Sequence, residues 1–294
     1  MSAPTTHGLE PHGGDPVRER VLVTAEALRA ELASPAPPAL LDVRWTLAVP
    51  DGRPAHAAGH LPGAAYVDLE RELAAPPSPQ DGRHPMPELE PLVAAARRWG
   101  LRRGQAVVVY DHVGGLSAAR AWWLLRWAGV RSVRLLDGGL QAWVAAGGPL
   151  ETGAVTPVPG DVELTGRMLP YIKIDEASWW PQRGSLLDAR APERYRGELE
   201  PIDPRAGHIP GAVSAPTTEN LTPDGRFRPA AELRERFQRL GLAKASYSAV
   251  YCGSGVNACH EIAALTSIGL PAVLYPGSWS QWSADPDRPV ATGP

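Results

Sequence analysis

Cys252 opens the run CGSGVNAC, after the apolar stretch SAVY and before HEIAALTSIGL, so a thiol stands where a strand is expected to turn into a helix. A helix begins with backbone N–H groups that lack intrahelical partners and with the positive end of its dipole, and both favour a thiolate. Gly253 and Gly255 allow the backbone to curl so that several N–H groups face one point. The chemistry this suits is nucleophilic: a sulfur anion in a cradle of donors, with the Ser254 hydroxyl beside it. A lone cysteine ending a strand is often packing, but Gly253, Ser254, Gly255 and Asn257 make a poor core and a good loop. Cys259, beside Ala258, Ile262 and Ala263 in the expected helix, reads as buried and inert.

The elements that must hold this loop occur twice. LLDVR at 40–44 returns as LLDAR at 186–190, and GHLPGA at 59–64 returns as GHIPGA at 207–212. VVVYD ending at Asp111 matches SAVYC ending at Cys252, and LLDGGLQAW at 135–143 matches LYPGSWSQW at 274–282. Chance similarity would not keep these blocks colinear, so the chain reads as a duplicated domain. Within each copy, short apolar runs alternate with helical patterns, which argues for an α/β fold with a central parallel sheet and helices on both faces. ELEPLVAAARRWG predicts a helix closed by Gly100, and LSAARAWWLLRWAG one opened by Ser117. The divisions expected are a disordered tail over 1–20, a first domain over 21–149, a Pro-, Gly- and Thr-bearing linker over 150–167, and a second domain over 168–294.

The copies differ where it matters. Asp111 stands at the position of Cys252, followed by HVGGLSAAR, so the first copy cannot carry sulfur. It also holds extra residues near PPSPQDGRHPMP, which form either a plain surface loop or a wall over the other domain's site.

A length of 294 residues accommodates two ordinary domains, and a net charge of −3 gives no basic footprint for nucleic acid. Two cysteines are too few for a disulfide framework or a four-cysteine zinc site, and no metal is expected. No apolar run approaches the roughly 20 residues that cross a bilayer. With no apolar centre in residues 1–20 to act as a secretory signal, a cytoplasmic, reducing location is expected.

A strand-borne cysteine in the loop CGSGVN, preceded in the same half by LDAR and GHIPGA, resembles the rhodanese-type sulfurtransferases, in their tandem form, from about Val21 to Val290. The resemblance implies a catalytic second domain and a degenerate first one. It implies that Cys252 takes a sulfur as a persulfide, stabilised by Ser254 and by the N–H groups of Gly253, Gly255, Val256, Asn257 and Ala258, without a metal or organic cofactor. Loops resembling CRKGVT go with thiosulfate and those resembling CGSGVT with 3-mercaptopyruvate; neutral Gly253 and Ser254 favour the 2-oxo acid, with thiosulfate:cyanide transfer as the alternative. By the same resemblance Arg194 holds the substrate carboxylate and carbonyl, joined by Arg205, although EPIDPRAGH has two extra residues relative to the usual spacing. Trp279 is expected at the pocket mouth, and His84, Asp68 and Glu70 of the first half are expected to assist Ser254 in proton transfer. Asn257 replaces a usual Thr and Gln281 a usual Glu.

The expected acceptors are cyanide, a small thiol, thioredoxin or a carrier protein, and a monomer is the expected state. Phosphatases and arsenate reductases with a similar loop need an arginine where this chain has Ala258, which removes that reading. A module that only binds a partner would have no use for Cys252 and its glycine loop.

Overall fold

The computed structural model describes residues 15–242 and 247–294. Two parallel sheets follow one another. The first contains β1 (Leu22–Val23), β2 (Ala39–Asp42), β3 (Ala65–Tyr66), β4 (Val107–Tyr110) and β5 (Val133–Leu136), in the order β1-β5-β4-β2-β3. The second contains β6 (Ser185–Asp188), β7 (Val213–Ser214), β8 (Ser248–Tyr251) and β9 (Ala272–Leu274), in the order β7-β6-β8-β9. The central strands β4 and β8 are buried along their whole length, as apolar runs covered on both faces must be.

The repeated motifs are the joints of each copy. Asp42 accepts from Arg44 at 2.7 Å, from the Tyr110 hydroxyl at 2.9 Å and faces His56 Nδ1 at 2.9 Å. Tyr110 in turn accepts from Leu61 N at 3.1 Å, tying the GHLPGA turn to the sheet. In the second copy Arg190 donates to Asp188 at 2.6 Å, and Ile209 N donates to the Tyr251 hydroxyl at 3.2 Å. The recurrence of LDxR and GH(L/I)PGA therefore reports buried charge that must be paired, rather than chemistry.

The helices Ala118–Trp127 and Asn257–Ser267 are buried almost all round and pack on each other between the two sheets. A helix apolar on every face belongs inside a protein, and here one core runs from Leu124 and Leu125 of the first copy to Ile262 and Leu265 of the second. The helix Leu89–Arg98 ends as expected at Gly100, whose φ of 80° suits a residue without Cβ. Ser117 precedes the helix Ala118–Trp127, but its hydroxyl does not cap it and donates instead to Trp45 O at 2.7 Å.

The expected tail is shorter than its sequence reading. Pro16–Glu19 is helical, and Arg18 bonds Phe227 O and Arg228 O of the second domain, each at 2.9 Å, and Asp137 of the first at 3.3 Å. One long cation thus ties three segments together, which polar composition alone does not reveal. Residues 1–14 of that stretch lie outside the described residues. Among the described residues no helix is long and apolar enough to cross a membrane.

Candidate active site

Cys252 follows the last residue of β8, and the helix Asn257–Ser267 begins five residues on. Gly255, at φ 78°, makes the turn between them; a Cβ there would stand 2.5 Å from Pro276 O, so only glycine fits. Its N–H donates to Cys252 Sγ at 3.1 Å, the direct contact that stabilises charge on the sulfur. The loop hangs on the turn after β9. Cys252 N donates to Ser278 Oγ at 3.1 Å, Trp279 N to Cys252 O at 2.9 Å and Ser280 N to Gly253 O at 2.9 Å. Cys252 is 3% exposed and lines a cavity of about 340 Å³ between the domains, together with Trp45 and Arg83 of the first and Arg194 and Asn257 of the second.

The first domain reaches into this site. Ser254 Oγ lies 2.7 Å from His84 Nδ1, and His84 Nε2 lies 3.4 Å from Glu70 Oε1, which also accepts from Trp45 Nε1 at 2.9 Å. Burial lowers the His84 pKa to about 4; Glu70 opposes this, and Arg120 and Arg83 add to it. The ring is therefore neutral at pH 7. With its proton on Nε2 toward the Glu70 carboxylate, Nδ1 is left to accept from the Ser254 hydroxyl. Asp68 is not in this chain of bonds. Its side chain caps the helix Leu69–Glu72 through Arg71 N at 3.2 Å and pairs with Arg53 at 2.5 Å, because a carboxylate before a short helix satisfies free N–H groups.

Arg120, which sequence reading did not single out, is fully buried beneath both halves of the site. It donates to His84 O and Pro85 O at 3.1 Å, to Leu73 O at 3.2 Å and to Gly255 O at 3.4 Å. Burial depresses its pKa. It holds the histidine loop and the cysteine loop in register. Cys259 also points at Gly255 O, at 3.2 Å, and burial pushes its thiol up to about 12, in keeping with an inert core residue. Val256 and Asn257 line the cavity, whereas Ala258 is wholly buried at the start of the helix.

The arginines divide. Arg194 lines the cavity and is held by Glu200 at 2.6 Å and Asp203 at 3.0 Å. Arg205 does not reach the site: its guanidinium donates to Ser283 O and Arg288 O at 2.8 Å, to Trp282 O at 2.9 Å and to Asp285 O. The helix Ser278–Ala284 ends there with free carbonyls, and the arginine satisfies them. Trp279 is likewise core and not mouth. It is fully buried, donates to Arg205 O at 2.9 Å and lies under the Arg190 guanidinium, 4.6 Å from the ring centre. A cavity-lining residue that the sequence pattern does not single out is Arg83, the neighbour of His84.

The insertion in the first copy is the wall. Ser78–Gly82 closes a small turn, Gln281 Nε2 donates to Gln80 O at 2.5 Å, and Arg83 N donates to Ser280 Oγ at 3.1 Å. Gln281 also accepts from the Tyr275 hydroxyl at 2.8 Å, so the residue that replaces a usual Glu has both ends of its amide in use.

In the first domain the corresponding cradle is filled. Asp111 accepts from Val113 N and Gly115 N through one oxygen, each at 2.8 Å, and from Ser117 N and Ala118 N through the other at 2.8 and 2.9 Å. A strand-to-helix loop of the kind that binds an anion has here its own carboxyl group as acceptor.

The protein is thus of the class in which a domain with a thiol loop is fused to a second copy that carries aspartate in place of the thiol and lines the same cavity. The chain belongs to the rhodanese-like family of sulfurtransferases: the rhodanese-like domain matches residues 24–146 and again 174–285. It is 49% identical over 281 residues to a Pseudomonas aeruginosa protein provisionally named 3-mercaptopyruvate sulfurtransferase, covering 92% of this chain and 98% of that one. It is 46% identical over 280 residues to a Mycobacterium tuberculosis protein provisionally named thiosulfate sulfurtransferase SseB, covering 94% and 98%. The crystal structure of SseA from Escherichia coli, a 3-mercaptopyruvate sulfurtransferase, superposes with a TM-score of 0.78 at 31% identity, over 88% of this chain and 98% of that one.

Proposed function

We propose that this chain moves a sulfane sulfur from 3-mercaptopyruvate to a thiophilic acceptor through a persulfide on Cys252. The observation that carries the reading is the bond between Ser254 Oγ and His84 Nδ1, 2.7 Å long, beside a thiol whose own loop is uncharged. Thiosulfate needs only a nucleophile and positive charge. A donor whose sulfur leaves a carbon also needs a proton delivered.

The Cys252 thiolate attacks the donor sulfur. An S–S bond forms, the C–S bond breaks, and the carbon departs as the enolate of pyruvate. That enolate takes up the proton the donor thiol carried, leaving pyruvate and a persulfide anion on Cys252. Ser254, backed by neutral His84 and Glu70, lies where a proton could be relayed between the donor thiol and the methylene carbon. The Gly255 N–H and the helix N-terminus stabilise the anion before and after transfer. The acceptor then attacks the outer sulfur and returns the thiolate, a two-step displacement with ping-pong kinetics. Arg194, mostly buried in the cavity lining, supplies cationic donors for a carboxylate. The chemistry calls for no metal or organic cofactor. Acceptors compatible with the cavity are cyanide, a small thiol or the thiol of a reduced thioredoxin, and the protein acts as a cytoplasmic monomer without nucleic acid.

One observation favours a second reading. Two guanidinium groups, those of Arg83 and Arg194, line the cavity, and they would suit thiosulfate as the main donor. Parallel steady-state assays decide: a higher kcat/KM with 3-mercaptopyruvate than with thiosulfate supports the first reading, and an equal or reversed ratio overturns it.

A further inference from the structure

We propose that Arg83, carried by the first domain, is the second arm of a clamp for the donor's carboxylate, working with Arg194 in the role expected of Arg205. The assignment rests on the 2-oxo acid reading of the donor.

The two guanidinium groups share one carboxylate. Arg83 Nη1 donates to Asp203 Oδ1, and Arg194 Nη2 donates to Asp203 Oδ2 at 3.0 Å. Glu200 takes further donors of Arg194 at 2.6 and 3.2 Å. Asp203 and Glu200 are buried, with side chains 3% and 2% exposed, so they fix the arginines firmly. Each arginine is left with one amino group that bonds nothing among the described residues: Nη2 of Arg83 and Nη1 of Arg194. Those two atoms are the ones that converge on the residue next to the nucleophile. They lie 3.0 and 3.4 Å from the point that a Cβ on Gly253 would occupy. Arg83 Nε is buried and lacks a partner among the described residues, so the donor that Arg83 offers to the cavity is Nη2. Nη2 of Arg83 and Nη1 of Arg194 together can take the two oxygens of one carboxylate. Arg205 has no such free donor, because Nε and both amino groups are spent on carbonyls.

Arg83 is also placed rather than floating. Its N–H bonds Ser280 Oγ, while Ser280 N bonds Gly253 O, so the arginine and the cysteine loop hang on the same residue. Gly82, at φ 91°, lets the chain pass so close that a Cβ there would meet Gly277 O at 2.7 Å. A guanidinium whose anchor is shared with the loop holds its distance to the sulfur, which is what positioning a donor requires.

The test pairs a truncated side chain with a truncated donor. Arg83→Gln and Arg83→Lys are assayed with 3-mercaptopyruvate and with mercaptoacetone, the same thiol and ketone without the carboxylate. Mercaptoacetone transfers its sulfur with the same balance, releasing acetone. For Arg83→Gln, kcat/KM with 3-mercaptopyruvate should fall about 10- to 100-fold, mostly through KM, whereas mercaptoacetone should change by less than about threefold. Arg83→Lys should recover part of the loss by restoring charge without the fixed guanidinium geometry. Equal losses with both donors would make Arg83 a structural residue and overturn the clamp, as would an unchanged kcat/KM with 3-mercaptopyruvate. Thiosulfate, measured alongside on the unaltered protein, tests the donor reading by itself. If thiosulfate is preferred while Arg83→Gln still loses 3-mercaptopyruvate selectively over mercaptoacetone, the donor reading fails and the clamp stands.

Discussion

His84 of the first domain and Ser254 of the second are joined by a 2.7 Å hydrogen bond across the domain boundary. The copy that carries Asp111 in place of the thiol therefore places a side chain against the cysteine loop. Its histidine is buried, neutral and backed by Glu70, and Arg120 beneath fixes the distance between the two loops.

Replacing His84 with Ala should lower kcat with 3-mercaptopyruvate by about 100-fold, the range of a lost general acid–base partner, with far-UV circular dichroism unchanged. Because the ring titrates near 4, the kcat–pH profile of the unaltered protein should have no limb from His84 between about pH 5 and 8. A limb near the ordinary histidine value that disappears in His84→Ala would contradict this assignment.

Stability should carry the mark of the same burial. His84 titrates near 4 folded and near 6.5 unfolded, so the unfolded chain binds the extra proton first as pH falls. The contribution is complete above pH 6.5 and is lost progressively toward pH 4. His260, lowered to about 3, acts in the same sense, while Glu261 beside Arg236, raised by burial, acts in the opposite one. His84→Gln is consequently the cleaner reporter. Its Tm should drop less between pH 7.5 and 5 than that of the unaltered protein, and an equal or larger drop would count against the buried neutral ring.

Asp111→Ala should destabilise the protein by about 2–4 kcal/mol in urea unfolding, since four backbone N–H groups lose one acceptor. A change within about 0.5 kcal/mol would mean that water replaces the carboxylate freely and that the cradle has no particular affinity for an anion.

Arg205→Ala should lower Tm and leave the ratio of kcat/KM between 3-mercaptopyruvate and thiosulfate unchanged. Arg194→Ala should cost about 10- to 100-fold in kcat/KM with 3-mercaptopyruvate. Selective loss of one donor in the Arg205 variant would restore it to the site.

The features that sequence made legible are those carried by local pattern. The duplication, the parallel strands and the CGSGVN turn each depend on residues close together in the chain, and each is where its pattern puts it. Features that depend on which distant segment arrives opposite were harder. Arg205 and Arg83 are both arginines in polar loops, and only packing decides that one meets the carbonyls of a helix end and the other the cavity. Trp279 looked like a rim residue because its neighbours do, yet it is the base on which Arg190 rests. Asp68 and Glu70 are two residues apart, and the turn of a short helix sends only Glu70 toward His84. Arg120 gave no signal, since a cation within an apolar helix pattern reads as an exposed edge.

The central claim is that sulfur rides on Cys252. Intact-protein mass spectrometry after one turnover with 3-mercaptopyruvate, without an acceptor, should find one added sulfur that peptide mapping assigns to Cys252. The adduct should be lost on adding cyanide, absent from Cys252→Ser and retained in Cys259→Ser. An added sulfur on Cys259, or continued turnover by a folded Cys252→Ser protein, would contradict the account.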